Sequence, residues 1–110
     1  MQEELQITWR NMEPSDGLAA TIREQMGRLE RFFDRITACR VIVEQLHRNK
    51  HKGNLFNVRI DLHVPGSEIV VTRECGKDQS HEDAYVVVRD AFKSARRRLE
   101  DYRQRRRDDV

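Results

Sequence analysis

Two rhythms of apolar and polar positions run along this chain. Leu5, Ile7 and Trp9 occupy every second position, separated by Gln6 and Thr8, the period of a short strand with one face buried. Asn11 to Pro14 breaks that pattern. Ser15 then stands where it can cap a helix, with Asp16 favourable in the first turn. Leu18, Ile22, Met26, Leu29 and Phe33 follow at steps of three and four, the stripe of a helix packed on one side. Gly27 weakens this helix by up to about 1 kcal/mol relative to alanine, so packing must compensate.

Period two then returns. Ile36 to Leu46 is rich in β-branched residues, with Cys39, Val41 and Val43 on one face. HRNKHKGN at 47–54 is polar, basic and glycine-containing, and predicts a hairpin loop. Phe56, Val58, Ile60, Leu62 and Val64 alternate with Asn57, Arg59, Asp61 and His63, the clearest strand in the chain. Pro65, Gly66 and Ser67 turn it into a fourth strand, Glu68 to Glu74. CGKDQ is a loop, and Ser80 with Asp83 resembles a capping box for a last helix. In that helix Tyr85, Val88, Phe92, Ala95, Leu99 and Tyr102 alternate steps of three and four.

The order is therefore β-α-β-β-β-α. Two helices with one apolar stripe each can both lie on one face of a four-stranded mixed sheet, an α+β two-layer sandwich. The crossover makes the first strand parallel to the second if they are neighbours; short turns make the remaining pairs antiparallel. Asn57, Arg59, Asp61 and His63 then face water. Residues 1–104 read as a single domain and residues 105–110 as a charged tail.

Charge changes the picture. The chain has 110 residues with a net charge of only +2, yet 36% of them are charged, against about 25% in ordinary soluble domains. The stretch RDAFKSARRRLEDYRQRRR at 89–107 holds nine bases and three acids, so its +6 leaves −4 for the rest of the chain. Basic charge placed locally in this way is expected of a surface for polyanions, although a solvated charged face is the plainer alternative. No apolar run approaches a membrane span, no signal peptide opens the chain, and Cys39 and Cys75 form no close pair. The expectation is a cytoplasmic protein with reduced thiols and no membrane partner.

Catalytic chemistry finds no foothold. His47 and His51 lie four apart in a predicted loop without a carboxylate or thiol at ligand spacing. His81, Glu82 and Asp83 at a helix start fit capping and dipole preference better than acid–base work. Cys75 has no catalytic partner beside it. The chain is therefore expected not to be an enzyme, with no metal, no cofactor and no small-molecule substrate.

The bases are better organised. Arg89, Lys93, Arg96 and Arg97 fall along one side of the last apolar stripe, and Arg103 continues it. Arg28, Arg31 and Arg35 fall at i, i+3 and i+7 on the first helix, so the two rows could border a shared groove. Arg48, Lys50 and Lys52 add a basic loop. Arginine's planar fork suits phosphate oxygens. For Arg28 and Arg31, helical pairing with neighbours such as Glu24 and Glu30 is the competing explanation, worth a few tenths of a kcal/mol. Trp9, Phe56, Tyr85 and Phe92 all sit in apolar stripes, so a folded, phosphate-rich RNA surface fits better than a stacking platform for single strands.

With these residues in place, the chain resembles the ribosome hibernation-promoting factor / ribosome-associated inhibitor A family. LERFFDRI at 29–36, VPGSEIVV at 64–71 and HEDAYVVVRDAF at 81–92, followed by the arginine-rich helix, carry the likeness. The resemblance implies docking in the small-subunit channel for mRNA and tRNA, and a block on translation in stress or stationary phase. Its contacts would be small-subunit rRNA against Arg28, Arg31, Arg35, Arg89, Lys93, Arg96, Arg97 and Arg103. Ser67 stands where a second glycine is common in the family, and the hairpin loop is longer and more basic than in the shortest relatives. The C-terminal ribosome-dimerising domain of the long form is not expected. Two other functions compete: a general RNA-binding or RNA-chaperone module, and a module that grips an acidic protein.

Overall fold

The computed structural model describes residues 5–46, 55–74 and 84–108. Six elements follow one another: β1 (Gln6–Arg10), α1 (Asp16–Phe32), β2 (Ala38–Leu46), β3 (Leu55–Val64), β4 (Ser67–Glu74) and α2 (Ala84–Asp108). They form a four-stranded sheet in the order β1-β2-β3-β4. β1 runs parallel to β2, while β2–β3 and β3–β4 are antiparallel. The expected two-layer α+β arrangement is what the chain adopts.

The register explains the core. Val41 pairs with Ile60, Val43 with Val58 and Cys39 with Leu62, and Ile60 continues to Val71 and Leu62 to Ile69. These residues share one face because cross-strand partners point the same way. All are buried, in one cluster with Leu18, Ile22, Met26 and Leu29 of α1 and Val87, Val88, Ala91, Phe92, Ala95 and Leu99 of α2. Both helices therefore cover the same side of the sheet. α2 lies over β3 and β4 and packs along α1. No helix of the described residues is long and apolar enough to cross a membrane.

Local signals hold at the ends of α1. Ser15 Oγ accepts a hydrogen bond from the Leu18 amide at 3.1 Å, the capping role its position predicts. The helix closes earlier than its apolar spacing suggests. Phe33 is the extended C-cap residue, and its amide donates to the Leu29 carbonyl. Its side chain is still buried, so the stripe continues although the helix does not. β2 likewise begins at Ala38 rather than Ile36, although Ile36 is buried.

Tyr85 corrects an expectation. Placed by spacing in the apolar stripe of α2, it is 36% exposed, and the positions beside it that turn inward are Ala84, Val87 and Val88. A helix pressed against both a sheet and a second helix buries a broad arc, and small residues let it approach closely. Tyr85 instead reaches the start of α1, where its hydroxyl would overlap a Cβ at Gly17. Gly17 leaves that space.

The far end of α2 is tied to the β3–β4 turn. Gly66, at φ +76°, supplies the left-handed residue of this two-residue connection. The Pro65 carbonyl beside it accepts from the Tyr102 hydroxyl and, at 3.3 Å, from Arg106. Tyr102 also meets Phe33 edge to face, 5.8 Å between centroids. At the β4 edge, Arg98 donates to the Val70 carbonyl at 3.2 Å, satisfying an acceptor on an edge strand.

Candidate nucleic-acid interface

Packing two helices side by side on one sheet face leaves a valley between their outer surfaces. Its upper part is lined by Gln25, Arg28, Leu29, Val86, Arg89, Asp90, Phe92, Lys93 and Arg96. Its lower part is lined by Arg31, Phe32, Phe33, Asp34, Arg35, Tyr102, Arg103 and Arg106. Each part has four bases and one acid. A third concavity, against α2, is bordered by Phe32, Lys93, Arg96, Arg97, Glu100, Asp101 and Arg103. Arg89, Lys93, Arg96 and Arg103 of the expected α2 row thus border the valley with Arg28, Arg31 and Arg35, whereas Arg97 lines only the third concavity.

Few of these charges are cancelled. Asp90 is drawn to the sheet side by Arg73, 3.3 Å away. Arg28 pairs with Glu24 at 3.6 Å, the helical pairing weighed from spacing, and both side chains are 62% exposed. Arg103 meets Glu100 at 3.0 Å. Arg31, Arg35, Arg89, Lys93, Arg96 and Arg97 have no ion pair among the described residues. Like charges on adjacent turns repel, so this surface costs the fold stability unless an anion lies against it.

Arg35 reaches the groove by another route than the helical row implied. α1 ends at Phe32, and Arg35 comes from the connection to β2, where it lines the lower part beside Arg31. Arg48, Lys50 and Lys52 lie outside the described residues, as do His47, His51, Cys75 and the Ser80–Asp83 cap. Two contributors went unnoticed in the sequence. Arg106 lines the lower part and stacks on Tyr102, 5.6 Å from its centroid. Phe32 is half-buried in the groove wall, with the guanidinium carbons of Arg96 and Arg103 at 4.3 and 4.8 Å from its ring centroid. A signal for Phe32 existed. In a Phe-Phe doublet on a helix of 100° per residue, only one ring can follow the apolar stripe.

Cys39 is buried on the core face of β2, and burial, with Asp61 and Glu30 adding, pushes its thiol up to about 12. A thiol so held stays protonated and unreactive near neutrality. No group of three His, Cys, Asp or Glu among the described residues could hold a metal ion.

Comparison with known proteins puts this geometry in context. The family model described as Sigma 54 modulation protein / S30EA ribosomal protein matches residues 5–107. A ribosome hibernation promoting factor from Azotobacter vinelandii is 33% identical over 85 residues, which is 77% of this chain and 68% of the relative. A ribosome hibernation promotion factor from Deinococcus radiodurans is 28% identical over 102 residues, 91% of this chain. The chain spans about half the length of that relative, 49%. Among solved structures, a ribosomal subunit interface protein from Coxiella burnetii matches with a TM-score of 0.73 at 21% identity, covering 91% of this chain and 97% of that one. The N-terminal domain of Protein Y from Thermus thermophilus matches at 0.68 and 20%, covering 93% and 99%. At such identities these two likenesses speak for the fold.

Proposed function

The chain belongs to the Sigma 54 modulation protein / S30EA ribosomal protein family, and on that premise we propose that it is a ribosome-associated translation inhibitor whose helix groove binds small-subunit rRNA. The observation that carries the reading is the groove itself. Eight bases from α1, its C-terminal connection and α2 face two acids, one of which is turned aside by Arg73. Phosphates of a folded RNA supply the missing anions, at a spacing that arginine forks can bridge. Placement in the channel for mRNA and tRNA would exclude both, and accumulation in stress or stationary phase would silence idle ribosomes. This part of the proposal draws its support from the family.

Co-sedimentation with purified small subunits, together with translation in vitro, tests it. Lys93, Arg96 and Arg97 are exposed on α2, so reversing all three to Glu leaves the core untouched. The variant should fold, fail to co-sediment and fail to inhibit. Its RNA affinity should depend on salt with a slope lower by roughly 2 to 3, since each lost phosphate contact removes about 0.7–0.9. A folded triple variant that inhibits at wild-type concentration makes α2 a scaffold and ends the reading. Equal binding to unrelated RNA would favour a general RNA-binding module; binding only to acidic proteins would favour the third alternative.

A further inference from the structure

Phe32 packs against the edge of the core without being enclosed by it. Phe33 fills the next place in the apolar stripe and is 6% exposed, whereas Phe32 is half-buried in the wall of the groove. It borders both the lower part of the groove and the concavity against α2. Arg96 and Arg103 hold their guanidinium carbons 4.3 and 4.8 Å from its centroid, and Arg103 is also held by Glu100 at 3.0 Å. Arg96 has no carboxylate partner among the described residues. The other groove aromatics are committed elsewhere: Phe92 is in the core, and Tyr102 is fixed by Pro65 and Phe33.

Aromatic faces and guanidinium planes are the surfaces on which unstacked nucleobases settle, and each stacked base adds affinity without adding a phosphate contact. A duplex cannot use them, because its bases are stacked inside. A bulge or loop can. Resting on the reading that the groove binds RNA, we infer that Phe32 with Arg96 and Arg103 forms a stacking site for one unpaired nucleobase. The groove therefore selects RNA that offers an unpaired base within a phosphate-rich fold over uniform duplex.

The test uses two RNA hairpins of equal length and charge. One is fully paired; the other carries a single bulged 2-aminopurine. Wild-type protein should favour the bulged RNA by about five- to a hundredfold, the range expected for one base–aromatic stack, and should quench the 2-aminopurine. Phe32→Leu keeps apolar bulk beneath the two arginines. It should retain the salt slope while losing most of the preference and the quench. Phe32→Tyr should restore both. Equal wild-type affinity for the two RNAs overturns the stacking site, as does Phe32→Leu weakening both alike. In either case co-sedimentation with small subunits would show that the groove reading itself survives. If neither RNA nor subunits bind, both fall together.

Discussion

On the open face of the sheet, charges of opposite sign stand beside each other; along the helix groove bases outnumber acids and most stand without an ion-pair partner among the described residues. The register places Arg10, Arg40 and Arg59 among Glu44, Asp61, Glu68 and Glu74 on the face away from the helices. Arg59 Nε lies 2.8 Å from Asp61, and that hydrogen bond, with the carboxylate's charge, raises the guanidinium further above its ordinary value. His63 Nε2 lies 3.2 Å from Glu68. In and beside the groove, six bases have no ion pair among the described residues. Both surfaces rest on one core and are similarly rich in charge. Solubility alone would be served by either arrangement. A surplus of one sign, kept despite its repulsion, points to a partner that supplies the other.

The sharpest way to break this comparison is to make the same change in net charge on both surfaces. Arg10, Arg40 and Arg59 are exposed, and their reversal to Glu matches the reversal of Lys93, Arg96 and Arg97. Binding to small subunits should fall by roughly a hundredfold or more for the α2 variant, with each phosphate contact contributing to the salt slope. For the sheet variant the loss should stay within about threefold, because distant exposed charges are screened beyond about 8–10 Å. Circular dichroism checks that both fold. Comparable losses would mean that overall charge, rather than the groove, governs binding.

Much of this contrast was legible in the sequence. Alternation in Phe56–Val64 fixed which residues of β3 face the core, and steps of three and four found the buried side of α1. The basic rows were visible as rows. What spacing could not supply was tertiary. A stripe of threes and fours accepts Tyr85 as readily as Ala84. Only the close approach of α2 to sheet and helix, with Ala91 and Ala95 fully buried, decides for the smaller residue. Arg35 kept helical spacing beyond a helix that had already turned extended at Phe33. Asp90, one of the three acids in 89–107, is paired with Arg73 of β4, a neighbour no helical spacing reveals. Arg106 became a groove residue through Pro65, far away in sequence.

Between the two surfaces sits Cys39, and its titration reports on both. The thiol is raised from 9.0 to about 12 by burial first, then by Asp61 on the open face and by Glu30 on α1. The sign follows from which state holds the proton. Below about 9 both folded and unfolded thiols are protonated, and the full stability is present. As pH rises from 9 towards 12, the unfolded chain releases a proton that the folded chain keeps, so stability is progressively lost. The slope is about 1.4 kcal/mol per pH unit for one proton. Cys39→Val, close in volume, should lack that part of the slope in urea unfolding, while binding to RNA at neutral pH stays unchanged. All other groups are common to the two proteins, so the difference between their slopes is the measurement. Identical alkaline slopes would show that the thiol is accessible to water.

The smallest effect discriminates most finely, because it changes one carboxylate on each surface. Glu24 pairs with Arg28 beside the groove, four residues apart on α1 and largely exposed. Such a pair is worth about 0.3–0.5 kcal/mol. Asp61 pairs with Arg59 on the open face, with only 13% of its side chain exposed, and Asp61→Asn should cost up to about 1 kcal/mol of stability. For RNA the order reverses. Glu24→Gln removes an anion next to the incoming phosphates and releases Arg28, so binding should tighten by about two- to threefold with a slightly steeper salt dependence. Asp61→Asn leaves the groove as it was, and RNA affinity should not move although the net charge rises by the same amount. Titrating both variants against one rRNA fragment at low and moderate salt compares them directly. If Asp61→Asn tightens binding as much as Glu24→Gln, the RNA senses the summed charge of the protein and the two surfaces are not distinct in function.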